Sequence, residues 1–258
     1  MLYVDDILLA SSDVELFMKP SDLSSKFDMK DLGNASFVLG IQIYRDRSRG
    51  ILGLSQNSYV DKLLSRFGMN NCAPGDTPMA KGDKFSLKQC PRNELERKDM
   101  ERFSYASVVG NLMYAQICTC LDIAYIVGML SRYLSNPSMD HWKKAKQVMW
   151  YLQRIRDYML TYRRSSHLEI VGYSDSDFAG CLDSRRSTSG YIFMLAEGAV
   201  SWKSVKQTLI ASSTMEAKFI ACYEASNHGI WLRNFIIELR IVDRIEKPLR
   251  INCDNKVA

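Results

Sequence analysis

The chain has no apolar run approaching the roughly 20 residues that a membrane-spanning helix needs, so no membrane partner is expected. Nor does it open like a secreted protein: Met1-Leu2-Tyr3-Val4 meets Asp5-Asp6 at once, with no apolar stretch of signal-peptide length. Histidine is scarce, three residues in all, and His141, His167 and His228 lie far from the only close cysteine pair, Cys118-Thr-Cys120. That separation argues against a zinc site. The seven cysteines are odd in number and scattered, which argues against a disulfide framework and for free thiols in a reducing compartment. Strong charge is missing too. A net +5 with a pI near 8.7 permits a nucleic-acid partner without demanding one.

What is present is the composition of a globular protein, 47% hydrophobic and 24% charged over 258 residues, enough for one large domain or two of ordinary size. Its chemistry concentrates in three late segments. Gly172-Tyr-Ser-Asp-Ser-Asp-Phe-Ala-Gly180 overlaps a short strand predicted over 168–173 and carries Asp175 at the strand's end. Ser212-Ser-Thr-Met-Glu-Ala-Lys-Phe-Ile-Ala221 opens a long helical pattern with Glu216 in its first turn. Arg250-Ile-Asn-Cys-Asp-Asn-Lys-Val-Ala258 reads as another short strand ending in Asp254. Each acid has an ordinary reading. Asp175 and its neighbour Asp177 suit a turn, Ser213-x-x-Glu216 is a capping box, and Asp254 suits an N-cap. Taken together, on strand end, helix start and strand end, three carboxylates can converge at one sheet edge. Such a cluster repels itself unless cations sit in it, and hard oxygen ligands suit Mg²⁺ or Mn²⁺. Two such ions about 4 Å apart serve in-line displacement at a phosphodiester.

These segments, with Arg185-Arg186-Ser-Thr-Ser-Gly-Tyr191 and Ala199-Val-Ser-Trp-Lys203 between them, resemble in order and spacing the ribonuclease H domain of copia-type LTR-retrotransposon Pol polyproteins. The resemblance implies that Asp175, Glu216 and Asp254 are catalytic acids holding two Mg²⁺ (or Mn²⁺) ions. It also directs attention to Arg185, Arg186, Trp202, Lys203 and Lys206 as contacts to the phosphates and sugars of an RNA–DNA hybrid. The family usually carries a second Glu two residues after the first, where this chain has Lys218. Residues two apart on a helix lie on nearly opposite faces, so Lys218 is expected to alter the surface and leave the metal site untouched. The N-terminal part resembles the reverse transcriptase of the same polyproteins. Tyr3-Val-Asp-Asp6 matches its paired-carboxylate hairpin, followed by Phe27-Asp-Met-Lys-Asp-Leu-Gly33 and Leu39-Gly-Ile-Gln-Ile43. By that resemblance Asp5 and Asp6 are metal-binding acids of a polymerase palm.

The expected fold class is α+β or α/β. Residues 1–157 are read as the end of a reverse transcriptase palm with thumb or connection helices, and residues 158–258 as a truncated ribonuclease H-like mixed sheet with a packed helix. Periodicity predicts a helix over 11–30 broken at Pro20, strands over 35–44 and 51–55, and an amphipathic helix over 56–67. Residues 70–102, with three of the six prolines, read as a surface connection. Helices follow over 108–114, 123–134 and 139–155. A meander of strands over 168–173, 188–195 and 199–206 leads to a long helix over 214–239 with an apolar stripe from Ala217, Ala221 and Ala225. The last strand, 250–253, is expected to run parallel to the first of the meander.

The resemblance also implies acids that this chain does not carry: a first palm Asp upstream of Tyr3 and a fourth ribonuclease H acid beyond Ala258. Three functions stand as alternatives. One is an enzyme descended from RNA-directed DNA synthesis and metal-dependent cleavage of RNA in hybrids, impaired by truncation. The second is a non-catalytic hybrid-binding module, and the third an inert remnant. Expected partners are an RNA–DNA hybrid or other nucleic acid and the rest of the Pol polyprotein, in the cytoplasm (within a virus-like particle) or the nucleus. The oligomeric state is left open.

Overall fold

Antiparallel pairing of β1 (Leu2–Tyr3) with β2 (Asp6–Ile7) sets Tyr3 opposite Asp6, the hairpin expected at the start of the chain. This comes from a computed structural model that describes residues 2–3, 6–8, 28–30, 32–80, 82–165, 168–239 and 248–254. Asp5, the side chain of Asp6 and nearly all of the helix expected over 11–30 lie outside the described residues. Residues 1–39 form one compact unit, which also holds the short strand β3 (Phe37–Val38), and residues 40–258 form a second.

In the second unit, β4 (Ile41–Asp46) and β5 (Ile51–Ser55) make an antiparallel hairpin. The far edge of β5 is taken by β6 (Leu160–Arg163), Leu52 opposite Tyr162, so the chain returns to this sheet after more than a hundred residues. Between β5 and β6 come five helices: α1 (Asn57–Arg66), α2 (Glu94–Glu101), α3 (Tyr105–Cys118), α4 (Ala124–Leu130) and α5 (Met139–Ile155). The apolar stripes of α1, α3, α4 and α5 meet in one core, where Leu64, Leu112, Leu130, Met149 and Leu152 are sealed from solvent. Burying each such side chain contributes about 1.5–3 kcal/mol. Asn136-Pro137 stops one helical run, and Ser138 caps the next: its hydroxyl accepts the His141 N–H at 3.4 Å, while the His141 ring accepts the Ser138 N–H at 3.0 Å. The stretch 70–102 is more than a surface connection. It contains α2, capped by Asn93, and it buries Phe85, Cys90 and Met100.

The second sheet has the order β10-β7-β8-β9. β7 (Val171–Ser176), β8 (Thr188–Leu195) and β9 (Gly198–Lys206) form the expected antiparallel meander, and β10 (Arg250–Cys253) pairs parallel to β7. The β7 strand begins and ends three residues later than periodicity predicts, so Asp175 sits within it. β8 turns into β9 through Ala196 and Glu197, both at positive φ, the backbone of a two-residue hairpin turn. One long helix, α6 (Thr214–Glu238), lies on one face of the sheet. Ala217, Ala221 and Ala225 are fully buried there because only small residues let helix and sheet approach this closely, and Phe193, Ile170, Leu232 and Ile236 fill the space beyond. The architecture is thus mixed α and β. Among the described residues no helix is long and apolar enough to cross a membrane.

Candidate functional site

The parallel pairing of β10 with β7 determines where two of the predicted acids go. Cys253 lies opposite Ser174 in the register, so the next residues, Asp254 and Asp175, follow at the same level of neighbouring strands. A carboxylate at each of two adjacent strand ends repels its neighbour, and the structure answers that repulsion with an ammonium group. Lys218, in the second turn of α6, donates a hydrogen bond to Asp254 Oδ2, and its Nζ lies 3.8 Å from Asp175 Oδ1. The lysine side chain is only 17% exposed, against 76% for Asp175 and 65% for Asp254. The hydrogen bond to Asp254 raises the Lys218 pKa above that of an ordinary lysine, and both carboxylates add to the effect against the opposing influence of burial. The lysine therefore stays charged. Asp175 Oδ1 also accepts the Ser176 N–H at 2.7 Å.

Glu216 does not join them. Its Oε2 accepts both the N–H and the hydroxyl of Ser212, each at 2.6 Å, while its own N–H donates to the Ser213 hydroxyl at 3.1 Å. These bonds, the hydroxyl foremost, hold the Glu216 carboxyl below its usual pKa. The capping reading of this residue is the one the geometry follows, with the carboxylate reaching one residue further back than the capping box requires. The structure corrects two expectations together: Lys218 lies between the aspartates instead of on the face away from them, and Glu216 caps the helix instead of joining them. The physical reason is the Ala217 stripe. At about 100° per residue, Ala217 faces the sheet and its two neighbours flank it on either side. The 218 flank is the one turned to β10, as Cys222, one turn on, confirms by lying against Cys253.

Beside the pair opens a groove of about 840 Å³. One wall is the sheet face opposite α6, with Tyr173, Ile192 and Trp202; the other is the segment 121–125 leading into α4. Sequence reasoning did not anticipate this second wall, because nothing local ties residues 121–125 to a strand fifty residues later. Tyr125 makes the connection: its hydroxyl donates to Asp177 Oδ2 at 3.2 Å, and burial with that neighbouring carboxylate pushes its pKa up to about 12. Asp177 also accepts the Thr188 N–H, which makes it a loop staple. Of the predicted nucleic-acid contacts, Lys203 lines the groove, Arg185 is exposed and Arg186 and Lys206 are half-buried. Trp202 is committed to the protein itself, its indole N–H donating to the Gln116 carbonyl at 2.8 Å.

The residues do not fit the pair of divalent ions that the ribonuclease H resemblance implies. Among the described residues no three His, Cys, Asp or Glu side chains are grouped to hold a metal ion, and the third group at the aspartate pair is a cation. The corresponding question for Asp5 and Asp6 falls outside the described side chains.

Comparison with known proteins supplies an independent line. A family model described as reverse transcriptase (RNA-dependent DNA polymerase) matches residues 1–81. Over its whole length the chain is 42% identical to the retrovirus-related Pol polyprotein from transposon TNT 1-94 of Nicotiana tabacum, of which it covers 19%. Over 99% of its length it is 34% identical to the retrovirus-related Pol polyprotein from transposon RE2 of Arabidopsis thaliana, of which it covers 17%. A transposon Ty5-1 protein of Saccharomyces cerevisiae is 32% identical over 86% of this chain, which covers 71% of that protein. The chain thus spans under a fifth of the length of the two Pol polyproteins. No solved structure matches it.

Proposed function

This chain belongs to the Pol polyproteins of copia-type retrotransposons, and on that premise we propose that its second sheet and α6 are a ribonuclease H-like portion that binds RNA–DNA hybrid without efficiently cutting it. Residues 1–157 are then the reverse transcriptase-derived portion and residues 158–258 the ribonuclease H-derived one. In the ancestral protein the first extends DNA on an RNA template and the second cleaves RNA in the resulting hybrid, with Mg²⁺ or Mn²⁺. The observation that carries the reading is the parallel β10–β7 pair, which sets Asp254 level with Asp175 at the edge of a meander covered by one long helix. That placement follows the motif order of the resemblance.

Retained binding with lost cleavage follows from the charges at the edge. A bare carboxylate pair repels the phosphates of a hybrid, and Lys218 offsets that repulsion. Lys203, which lines the groove, and the arginines of the β7–β8 loop, exposed Arg185 and half-buried Arg186, are the cations offered to phosphates. RNA-containing duplexes are recognised largely through shape and 2′-OH contacts, so little sequence preference is expected. The test is fluorescence anisotropy with a labelled hybrid. Affinity is expected to fall steeply from about 50 to about 200 mM salt as phosphate contacts release counterions. The double substitution Arg185→Glu with Arg186→Glu is expected to weaken binding several-fold. Binding indifferent to salt, or rapid Mg²⁺-dependent cleavage abolished by Asp175→Asn, would overturn the reading.

A further inference from the structure

We propose that the Lys218 ammonium is a resident cation that takes the place of a divalent ion between Asp175 and Asp254 and closes this sheet edge to metal. Three observations converge. The ammonium touches both carboxylates, hydrogen-bonded to one and 3.8 Å from the other, a position a bridging ion would need. Its stem is largely covered while its partners are open to water, so the cation is fixed by the protein and the anions come to it. The remaining acid on this helix end, Glu216, is engaged by Ser212 and does not compete.

The electrostatics favour the lysine over an incoming ion. Two carboxylates and one ammonium leave a net charge of −1, and a divalent ion entering between them meets a like charge within a few ångströms. To bind, it must expel the ammonium and break the hydrogen bond to Asp254. A carboxylate at position 218 reverses all of this. Helix, strand and strand then present three hard oxygen donors with a net charge of −3, the ligand set that suits Mg²⁺ and Mn²⁺. One side chain therefore decides whether this edge is a metal site or an ion-paired clasp that ties α6 to the two parallel strands.

The inference rests on the ribonuclease H-like reading for the choice of ions, but its test uses no nucleic acid, so a chain that failed to bind hybrid would overturn that reading alone. Mn²⁺ binding is measured by electron paramagnetic resonance on the full chain, on Lys218→Glu, on Lys218→Met and on Lys218→Glu with Asp175→Asn, each checked for folding by circular dichroism. Lys218→Glu is expected to bind Mn²⁺ at least tenfold more tightly than the wild type, with the gain lost when Asp175→Asn is added. Lys218→Met, which removes the charge and keeps the apolar stem, is expected to fall between. A wild type that binds as tightly as folded Lys218→Glu overturns the proposal. Should Lys218→Glu not fold, Lys218→Met decides: affinity above the wild type supports the resident cation, and equal affinity overturns it.

Discussion

Tyr162 lies against Gly198 so closely that a Cβ on the glycine would stand 2.5 Å from the tyrosine ring and 2.7 Å from the Thr161 carbonyl. The same tyrosine donates its hydroxyl to the Ala199 carbonyl at 2.7 Å, and burial pushes its pKa up to about 12. Here β6, a strand of the first sheet, crosses the hairpin end of β9 in the second. The Arg163 N–H adds a bond to the Ala196 carbonyl at 2.9 Å. The Tyr162 ring and the Thr161 carbonyl fill the space above Gly198, so the seam has no room for a side chain at that position.

Gly198→Ala is therefore expected to destabilise the fold by about 1–3 kcal/mol, the range for overpacking a rigid site. Tyr162→Phe, which keeps the ring and removes the hydroxyl, is expected to cost about 1 kcal/mol. Urea titration of both variants measures this. A neutral Gly198→Ala would mean that the two sheets separate easily at this crossing.

Trp202 is a second tie, from the groove face of β9 to α3. Trp202→Phe loses the indole N–H and leaves the Gln116 carbonyl without that donor, an expected loss of about 1 kcal/mol. Because the indole N–H is already engaged by that carbonyl and Phe keeps an aromatic ring, hybrid affinity and its salt dependence are expected to stay unchanged wherever the variant is folded. A variant of normal stability that binds hybrid several-fold more weakly would return Trp202 to the nucleic-acid surface.

Much of this fold is legible in the sequence, and the exceptions share a cause. The bounds of α5 and β8 match their periodicity because caps and apolar repeats are local signals that the whole structure respects. β6 carries no such local signal: Leu160-Thr-Tyr-Arg163 is four residues long, and only its pairing with β5 makes it a strand. The sequence motifs also suffice to bring Asp175 and Asp254 to one edge. Which neighbour of Ala217 faces that edge is a different kind of fact. Periodicity puts residues 216 and 218 on opposite flanks, but the direction in which α6 crosses the sheet decides which flank meets β10. The Ser213-x-x-Glu216 signature was the one local clue, since a glutamate engaged at a helix cap is not available at a site.

The cap makes a pH-dependent prediction. Hydrogen bonds from Ser212 lower the Glu216 pKa in the folded protein, so the folded state favours the charged form. The stability it contributes is present above the unfolded carboxylate pKa and is lost as pH falls through the folded one. Comparing the wild type with Glu216→Gln by thermal unfolding, the gap between them is expected to be widest near neutrality and to close on acidification. A gap unchanged from about pH 7 to about pH 3, a span that crosses the whole carboxylate range, would show that the carboxylate's charge is irrelevant there.

His141 sets the opposite kind of limit, through a group that must stay neutral. It is fully buried and stacked on Tyr133 with ring centroids 4.2 Å apart, and its Nδ1 accepts the Ser138 N–H at the cap of α5. That bond requires an unprotonated Nδ1. Burial lowers the His141 pKa, partly opposed by Asp140 and Asp183, so on acidification the unfolded chain takes up this proton before the folded one. Stability is therefore expected to hold above about pH 6.5, the ordinary histidine value, and to decline as pH falls below it. His228, also lowered by burial and by Lys203, contributes in the same direction. The two are separated by His141→Gln, which cannot protonate and keeps a capping-box side chain three residues after Ser138. Its absolute stability matters less than its slope. Urea unfolding at intervals between about pH 7 and pH 5, the window around the unperturbed histidine value, is expected to show a shallower decline than the wild type. An equal slope would assign the proton uptake to His228, which His228→Gln would then flatten in turn.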